Sequence, residues 1–337
     1  MMDVSADLIS FSFEAELTEE EKEFIFLRTR AAGLTFCGCA HAAFLYKLVH
    51  LLRYSIKSLP ADGGSSASGG DGDIRVGILG MGQIGKQLLL TLLDKSDIKP
   101  SHIKISSRRP ESAVEFSRAG VECFFDNRSV GAWADVLFLC CLPSHLHKVC
   151  ADLRSHLSAC CLVYSFPTGV PVSKLARLLG HDFILRPQCD FISRDAADVW
   201  LSCTRLTKDL RDPLLIEASC PLTPSGGISV GLTWMSAVLY SLLNTCTSSG
   251  LGSSDALSLI NNLLKEKCPN AVELDARTFI SAASLRTEES FPWISLTDAQ
   301  TQETPLLRFL SSSRSTQRCL AAVYTSLLCQ PNKTATS

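Results

Sequence analysis

The chain has 337 residues, 46% of them hydrophobic and 20% charged, with a formal net charge of −2 at pH 7. That length supports a large core or two domains, and the near-neutral balance lacks the basic footprint of a nucleic-acid-binding protein. No uninterrupted apolar run reaches the roughly 20 residues of a membrane helix. The best stretch, residues 34–52, contains His41, Lys47 and His50 and reads as a packed helix, so no membrane partner is expected.

The opening residues carry neither a secretory pattern nor an Arg-rich transit pattern. Fifteen cysteines occur with no Cys-x-x-Cys pair, and several sit inside apolar runs such as "DVLFLCCLP" and "SACCLVYSF". Free Cys packs as a small hydrophobe, so a reducing compartment is expected. That means a cytoplasmic location, with a mitochondrial one left open. The one dense group, Cys37-Gly38-Cys39 with His41, is spaced poorly for zinc. Core packing is expected there, and no metal.

In chain order, residues 18–33 read as a helix with a Thr18–Glu21 capping box and Gly33 as its stop. A second helix is expected over about 40–58. Residues 59–73, "LPADGGSSASGGDGD", form a Gly/Ser linker, so residues 1–58 read as a helical N-terminal extension outside the nucleotide fold. From Ile74 strands and helices alternate. "IRVGILG", "HIKISS", "VECFF", "ADVLFLCCLP", "CCLVYSF" and "DFILRPQ" are six strands, the fourth apolar enough for the middle of a parallel sheet. Helical stretches separate most of them. This is the pattern of an α/β doubly wound Rossmann domain, residues 74–212. After it the strand signal fades. Long helical patterns at about 228–250 and 254–268 predict an all-α C-terminal domain, residues 213–328, with Gly226-Gly227 as a hinge and 329–337 as a disordered tail. "GLTWMSAVLYSLL" is apolar nearly all round, which predicts burial on more than one side and a homodimer.

The motif that carries chemistry is Gly80-Met81-Gly82-Gln83-Ile84-Gly85. It follows an apolar strand and opens a helix, the context in which GxGxxG is informative. Gly80 permits the turn, Gly82 lets backbone approach a pyrophosphate, and Gly85 allows close helix–sheet packing. The phosphates would sit at the helix N-terminus. At the second strand tip an NAD site places an acid. Here stand Ser106, Ser107, Arg108 and Arg109, whose hydroxyls and charges suit a 2′-phosphate. That favours NADP(H). His145 and His147 point apart on a helix, and Tyr164 reads as a core strand residue. No catalytic residue is assigned.

"VGILGMGQIGKQLL", "ISSRRPES", "ADVLFLCCLPSHLHKVC" and "VYSFPTGVPVSKLARLLG" resemble the pyrroline-5-carboxylate reductase family in order and spacing, over roughly residues 74–190. The resemblance implies a Rossmann domain, NADP(H) and a dimerising helical domain. It also implies that the loops at Cys141, Leu142, Pro143 and Ser144, and at Ser165 through Thr168 to Gly169, border the nicotinamide. The chain departs from the family in two places. "RPQCDFI", residues 186–192, replaces Met-Pro-Asn-Thr-Pro, and the late Ser-Pro-Gly-Gly-Thr-Thr motif is missing, the nearest region being "FISAASLRTEESFPW". The expected function is therefore hydride transfer to a C=N or C=O carbon of a small-molecule substrate. A second reading is a nucleotide-binding regulatory or scaffold protein without turnover. A third is a reductase of unrelated substrate, with ferric or deazaflavin chemistry, on the same fold.

Overall fold

A computed structural model describes residues 17–59, 73–191, 199–201, 203, 206–223, 225–269, 272–281 and 290–329. Most of the expected linker and tail lie outside the described residues, as does the centre of "FISAASLRTEESFPW".

Helix α1 is Glu19–Lys57. The Rossmann half follows as β1 (Val76–Leu79), α2 (Gln83–Lys95), β2 (Ile103–Ser106), α3 (Val114–Arg118), β3 (Glu122–Phe124) and α4 (Asn127–Trp133). It continues with β4 (Val136–Leu139), α5 (Pro143–Leu153), β5 (Leu162–Ser165), α6 (Val172–Leu179) and β6 (Ile184–Leu185). Next come β7 (Asp190–Phe191), α7 (Leu206–Asp209), α8 (Pro213–Ala218) and β8 (Ile228–Ser229). The remainder is helical: α9 (Gly231–Ser248), α10 (Ser253–Lys267), α11 (Ala276–Phe279), α12 (Leu296–Thr301), α13 (Pro305–Ser312) and α14 (Arg314–Cys329).

All six expected strands form one parallel sheet in the order β3-β2-β1-β4-β5-β6. Consecutive strands run outward from β1 to β3, then the order reverses and continues from β4. The crevice between β1 and β4 is where ligands bind in such sheets. Alternation of side chains along each strand builds the two layers. Val76, Ile78, Phe138 and Tyr164 face a core shared with α1, α2 and the C-terminal helices. Leu79, Leu137, Leu139 and Val163 face Val130, Leu146, Leu153 and Leu175 from α4, α5 and α6.

The N-terminal segment differs most from expectation. The Thr18–Glu21 capping box is present, but the two expected helices are one, and Gly33 does not stop it. Nor is this segment appended: it packs on α2, α9, α10, α14 and β8. Most of its residues from Phe36 to Leu52 are buried in the main core, Cys37, Cys39 and His41 among them. No cluster of three metal-ligating side chains exists among the described residues. By length and composition α1 could cross a membrane, but 72% of its apolar window is buried inside the chain.

Gly33 is a packing residue. A Cβ there would lie 2.7 Å from Ile228 Cδ1 and from Trp200 Cδ1. Trp200 cannot yield, because its Nε1–H donates to Gly226 O at 2.7 Å and the ring is buried. A Cβ on Gly226 would itself come within 2.4 Å of that ring, so the expected hinge is a packed anchor. Gly33→Ala would gain about 1 kcal/mol of helix propensity, yet overpacking a fixed core costs about 1–3 kcal/mol. Gly33→Val carries more bulk and no such propensity, and urea unfolding is expected to show it less stable by at least about 2 kcal/mol.

Helix α9 is buried within the single chain by α1, α10, α12 and α13. Its all-round apolar character is therefore met without a second copy, and the reason for expecting a dimer through it falls away. Lys47 and Lys95 donate to the carbonyls of Leu327 and Leu328 at 2.6 and 3.3 Å, tying α1 and α2 to the C-terminal end of α14. Arg53 and Arg75 both pair with Asp135, at 3.2 and 3.0 Å, at the start of β4.

Candidate functional site

The three glycines after β1 do three different things. Gly80 has φ +102°, its N–H donates to Ser106 O at 2.9 Å, and a Cβ would press on the Cys140 carbonyl at 3.1 Å. Gly85 lies so close beneath that a Cβ would fall 2.0 Å from Gly80 O. Gly82 is the opposite case: extended, exposed, with nothing within 4 Å of a Cβ. Two glycines thus pull the loop tight while the middle one keeps the space above it clear.

Gly82 caps α2 without any side-chain hydrogen bond, and the first turn has no acid. The first intrahelical bond runs from Lys86 N to Gly82 O, so the amides of Gln83, Ile84 and Gly85 lack intrahelical acceptors. With the helix dipole they make a positive cradle for an anion. Met81 and Ile84 flank it half-buried and Gln83 is exposed.

At the β2 tip the expected residues divide. Ser106 is buried and its hydroxyl donates to Asn127 Oδ1 at 2.8 Å, while Asn127 Nδ2 donates to Asp152 Oδ2 at 2.9 Å. Its proton is committed within the protein, which corrects the expectation of a free donor. Ser107 Oγ accepts from the Arg109 amide at 3.3 Å. The Arg108 and Arg109 side chains are exposed beside it.

At the β4 end Cys140 N donates to Leu79 O at 2.9 Å, which brings Cys141 beside the glycine loop. Burial pushes the Cys141 thiol up to about 11, so it is neutral near pH 7. Leu142 is exposed, and Pro143 opens α5. At the β5 end Ser165 is wholly buried, its Oγ without a partner among the described residues. It sits beneath the loop, not at its surface, again contrary to expectation. Thr168 and Gly169 are exposed. Tyr164 is core: it lies 5.7 Å from the Phe138 ring and 5.2 Å from Phe166, and burial drives its phenol well above the usual value. His147 is exposed and His145 half-buried.

Arg186, just past β6, opens the departing stretch "RPQCDFI" but carries no role in the sequence reading. Its Nη2 donates to Thr168 O and its amide donates to Gln300 Oε1 at 2.9 Å, joining the loop after β5 to α12. The signal was present in "RPQ", where a cation stands at a strand end that otherwise reads as neutral.

The family model described as NADP oxidoreductase coenzyme F420-dependent matches residues 75–165. NADP-dependent oxidoreductase domain-containing protein 1 of Mus musculus is 36% identical over 342 residues, covering 96% of this chain and 93% of its own. The chain belongs to that protein's family. Pyrroline-5-carboxylate reductase of Escherichia coli (strain K12) is 30% identical over 109 residues, 32% of this chain and 40% of that enzyme. The expected kinship with those reductases holds, with identity confined to about a third of the chain. Among solved structures, pyrroline-5-carboxylate reductase of Coxiella burnetii aligns over 75% of this chain and 96% of its own, at 15% identity and a TM-score of 0.32.

Proposed function

We propose that the chain is an NADP(H)-dependent oxidoreductase that reduces a C=N or C=O carbon of a small molecule. The observation that carries this reading is the open Gly82 position above an uncapped helix N-terminus, at the point where strand order reverses. The residues fit the cofactor. The free amides of Gln83, Ile84 and Gly85, above the open Gly82, would hold the pyrophosphate; Ser107, Arg108 and Arg109 would hold the 2′-phosphate. Cys141, Leu142, Pro143, Thr168 and Gly169 would border the nicotinamide. When bound, the dinucleotide supplies hydride, and the protein supplies orientation and electrostatics. Nicotinamide fluorescence with purified protein and a panel of cyclic imines tests the proposal. Enhanced NADPH emission followed by its imine-dependent loss is expected; no change on adding protein would refute it.

A second reading, nucleotide binding without turnover, is favoured by the burial of Tyr164 and Ser165, which removes two hydroxyls from the mouth. NADPH binding with no substrate in the panel consumed would support it over the first.

Arg108 and Arg109 should decide the cofactor. A hydrogen bond to a charged group contributes roughly 1.5–3 kcal/mol, so replacing both with Ala is expected to weaken NADPH at least about tenfold. NADH should barely change. Equal losses for both nucleotides would make these arginines bystanders.

We further propose a reducing, cytoplasmic setting, with all fifteen cysteines free thiols. A homodimer is proposed on a different surface from α9: Phe24, Ile25 and Leu27 stand exposed at the N-terminal end of α1. Light scattering at micromolar concentration should give twice the 36.6 kDa chain mass, and Phe24→Glu should return it to a single chain. A single-chain mass for the unaltered protein removes the idea.

A further inference from the structure

The layer formed by α5 and α6 carries charge of one sign. Residues 143–181 contain Lys148, Arg154, Lys174 and Arg177, all exposed, against a single acid, Asp152, which already accepts from Asn127. Among the described residues no carboxylate forms an ion pair with any of these cations. At the end of this face where β5 and β6 begin lies an open groove of about 860 Å³. Leu157, Ala176 and Trp293 give it an apolar lining, and Arg177 lines it too. Arg154 reaches the same place, since a Cβ on Gly180, another lining residue, would lie 3.7 Å from its Nε. Trp293 is 37% exposed, with its ring edge-on to Phe183 at 4.9 Å. Its Nε1–H donates to Asp182 Oδ1 at 3.5 Å, which engages the acid of the groove. Small ligands of such sheets bind at the carboxyl ends of the strands, so this groove lies away from the nucleotide mouth. It suits a chain segment that brings acids and apolar side chains together. Tryptophan and arginine are the residues on which such contacts concentrate, and opposite charge selects the partner.

The chain itself contains such a segment. Residues 1–16, "MMDVSADLISFSFEAE", hold four acids, no Lys or Arg, and the apolar Leu8, Ile9, Phe11 and Phe13. They lead into α1, whose first turn adds Glu19, Glu20 and Glu21. Their own groove is out of reach. A Cβ on Gly38 would lie 3.0 Å from Phe166, just past the end of β5, whereas Arg53 pairs with Asp135, at the start of β4. Helix α1 therefore runs from the carboxyl ends of the strands toward their starts, and its first residue points away from the groove. From Glu19 to Gly38 it rises about 28 Å, and β5 adds about 13 Å. Residues 8–13 reach at most roughly 20–40 Å from Glu19 even when fully extended. We propose that the groove docks residues 1–16 of a second copy of this chain, with their acids against Arg154 and Arg177 and their apolar side chains against Trp293. This rests on the homodimer reading and deepens it, by naming the surface that receives the segment leading into α1.

Light scattering over a dilution series of the full chain is the test. Reversing the groove with Arg154→Glu and Arg177→Glu should weaken association about tenfold and leave NADPH affinity unchanged. Reversing the segment with Asp3→Lys, Asp7→Lys, Glu14→Lys and Glu16→Lys should weaken it by a similar factor. A chain carrying both sets should recover to within about threefold of the unaltered protein, a gain that damage to the fold could not produce. A synthetic peptide of residues 1–16 in excess should dissociate the dimer, and the same peptide with Phe11→Ser and Phe13→Ser should compete at least about threefold less well. Failure of the double reversal to recover overturns the proposal. So does equal competition by a scrambled peptide of the same composition, or dissociation by phosphatidylserine vesicles of matched charge, which would assign the face to a membrane. A dimer unmoved by either reversal overturns the docking and leaves the homodimer reading standing, whereas a single-chain mass for the unaltered protein sinks both.

Discussion

Gly82→Val is expected to lower NADPH affinity by on the order of a hundredfold or more while leaving thermal unfolding unchanged. The protein alone has room for the side chain: nothing lies within 4 Å of a Cβ at this position, and the backbone is extended. The valine would instead occupy the space through which a pyrophosphate reaches the amides of α2. Losing two charge-assisted hydrogen bonds, each worth roughly 1.5–3 kcal/mol, accounts for the factor. Gly85→Ala is the control. Its Cβ would collide with Gly80 O at 2.0 Å, so the loop itself must open, and binding and stability should fall together. Calorimetry beside a thermal melt separates the two variants. If Gly82→Val binds NADPH like the unaltered chain, the loop is only a turn.

The second large effect concerns acid. His41 Nε2 donates to Ser219 O at 2.8 Å in the middle of the core, and the ring packs against Trp234 and Tyr324. Burial pushes its pKa from 6.5 down to about 4, against a smaller opposing pull from the Ser219 carbonyl. In the unfolded chain the ring takes up its proton near pH 6.5. Between pH 6.5 and 4 the unfolded state therefore binds more protons, stability falls as pH falls, and the loss levels off below about pH 4. Its full size is roughly 3 kcal/mol. Asp135 acts in a lower window. Burial alone would raise its pKa, but the Arg75 hydrogen bond and the Arg53 charge outweigh this and hold it below 3.8, so its contribution is lost only under more acid conditions. His41→Gln keeps an N–H for Ser219 and removes the titration. Urea midpoints measured from pH 7 to 4 should slope for the unaltered chain and slope less for the variant, in which His181, whose pKa burial also lowers, still contributes. Parallel slopes would show that His41 is not the group responsible.

The Rossmann half was legible because its signals are local. Apolar runs such as Val136–Leu139 are buried on both faces, and the glycine motif sits in its strand-to-helix context. What escaped was long-range. Gly33 reads as a helix stop in sequence, and only the approach of Trp200 and Ile228 explains why a glycine stands inside a continuous helix. Ser106 reads as an available hydroxyl until Asn127, 21 residues on, takes its proton. The α9 pattern correctly signalled burial on several sides, but periodicity does not say whether the covering surface comes from the same chain. Helix α4 was missed because it spans only Asn127–Trp133, and its one clear mark is Asp126 accepting from the Arg128 and Ser129 amides. The pair β7–β8 is two residues long on each side and joins segments far apart in the chain.

The lysine ties at the end of α14 have a consequence for how the molecule is made. Lys47 and the carbonyl that receives it are 280 residues apart. At roughly 5–20 residues per second a ribosome needs on the order of tens of seconds to cover that distance. Over that interval α1 is already made while the surfaces that will cover it arrive in turn, α2 early, α9 and α10 much later and α14 last. The nascent chain thus carries an apolar helix waiting for its partners, a demand on chaperones that a self-contained nucleotide-binding unit would not impose. A product truncated before residue 314 would keep its whole Rossmann sheet and still present part of that helix uncovered. Such fragments are expected to pellet when expressed, whereas the full chain stays in the supernatant.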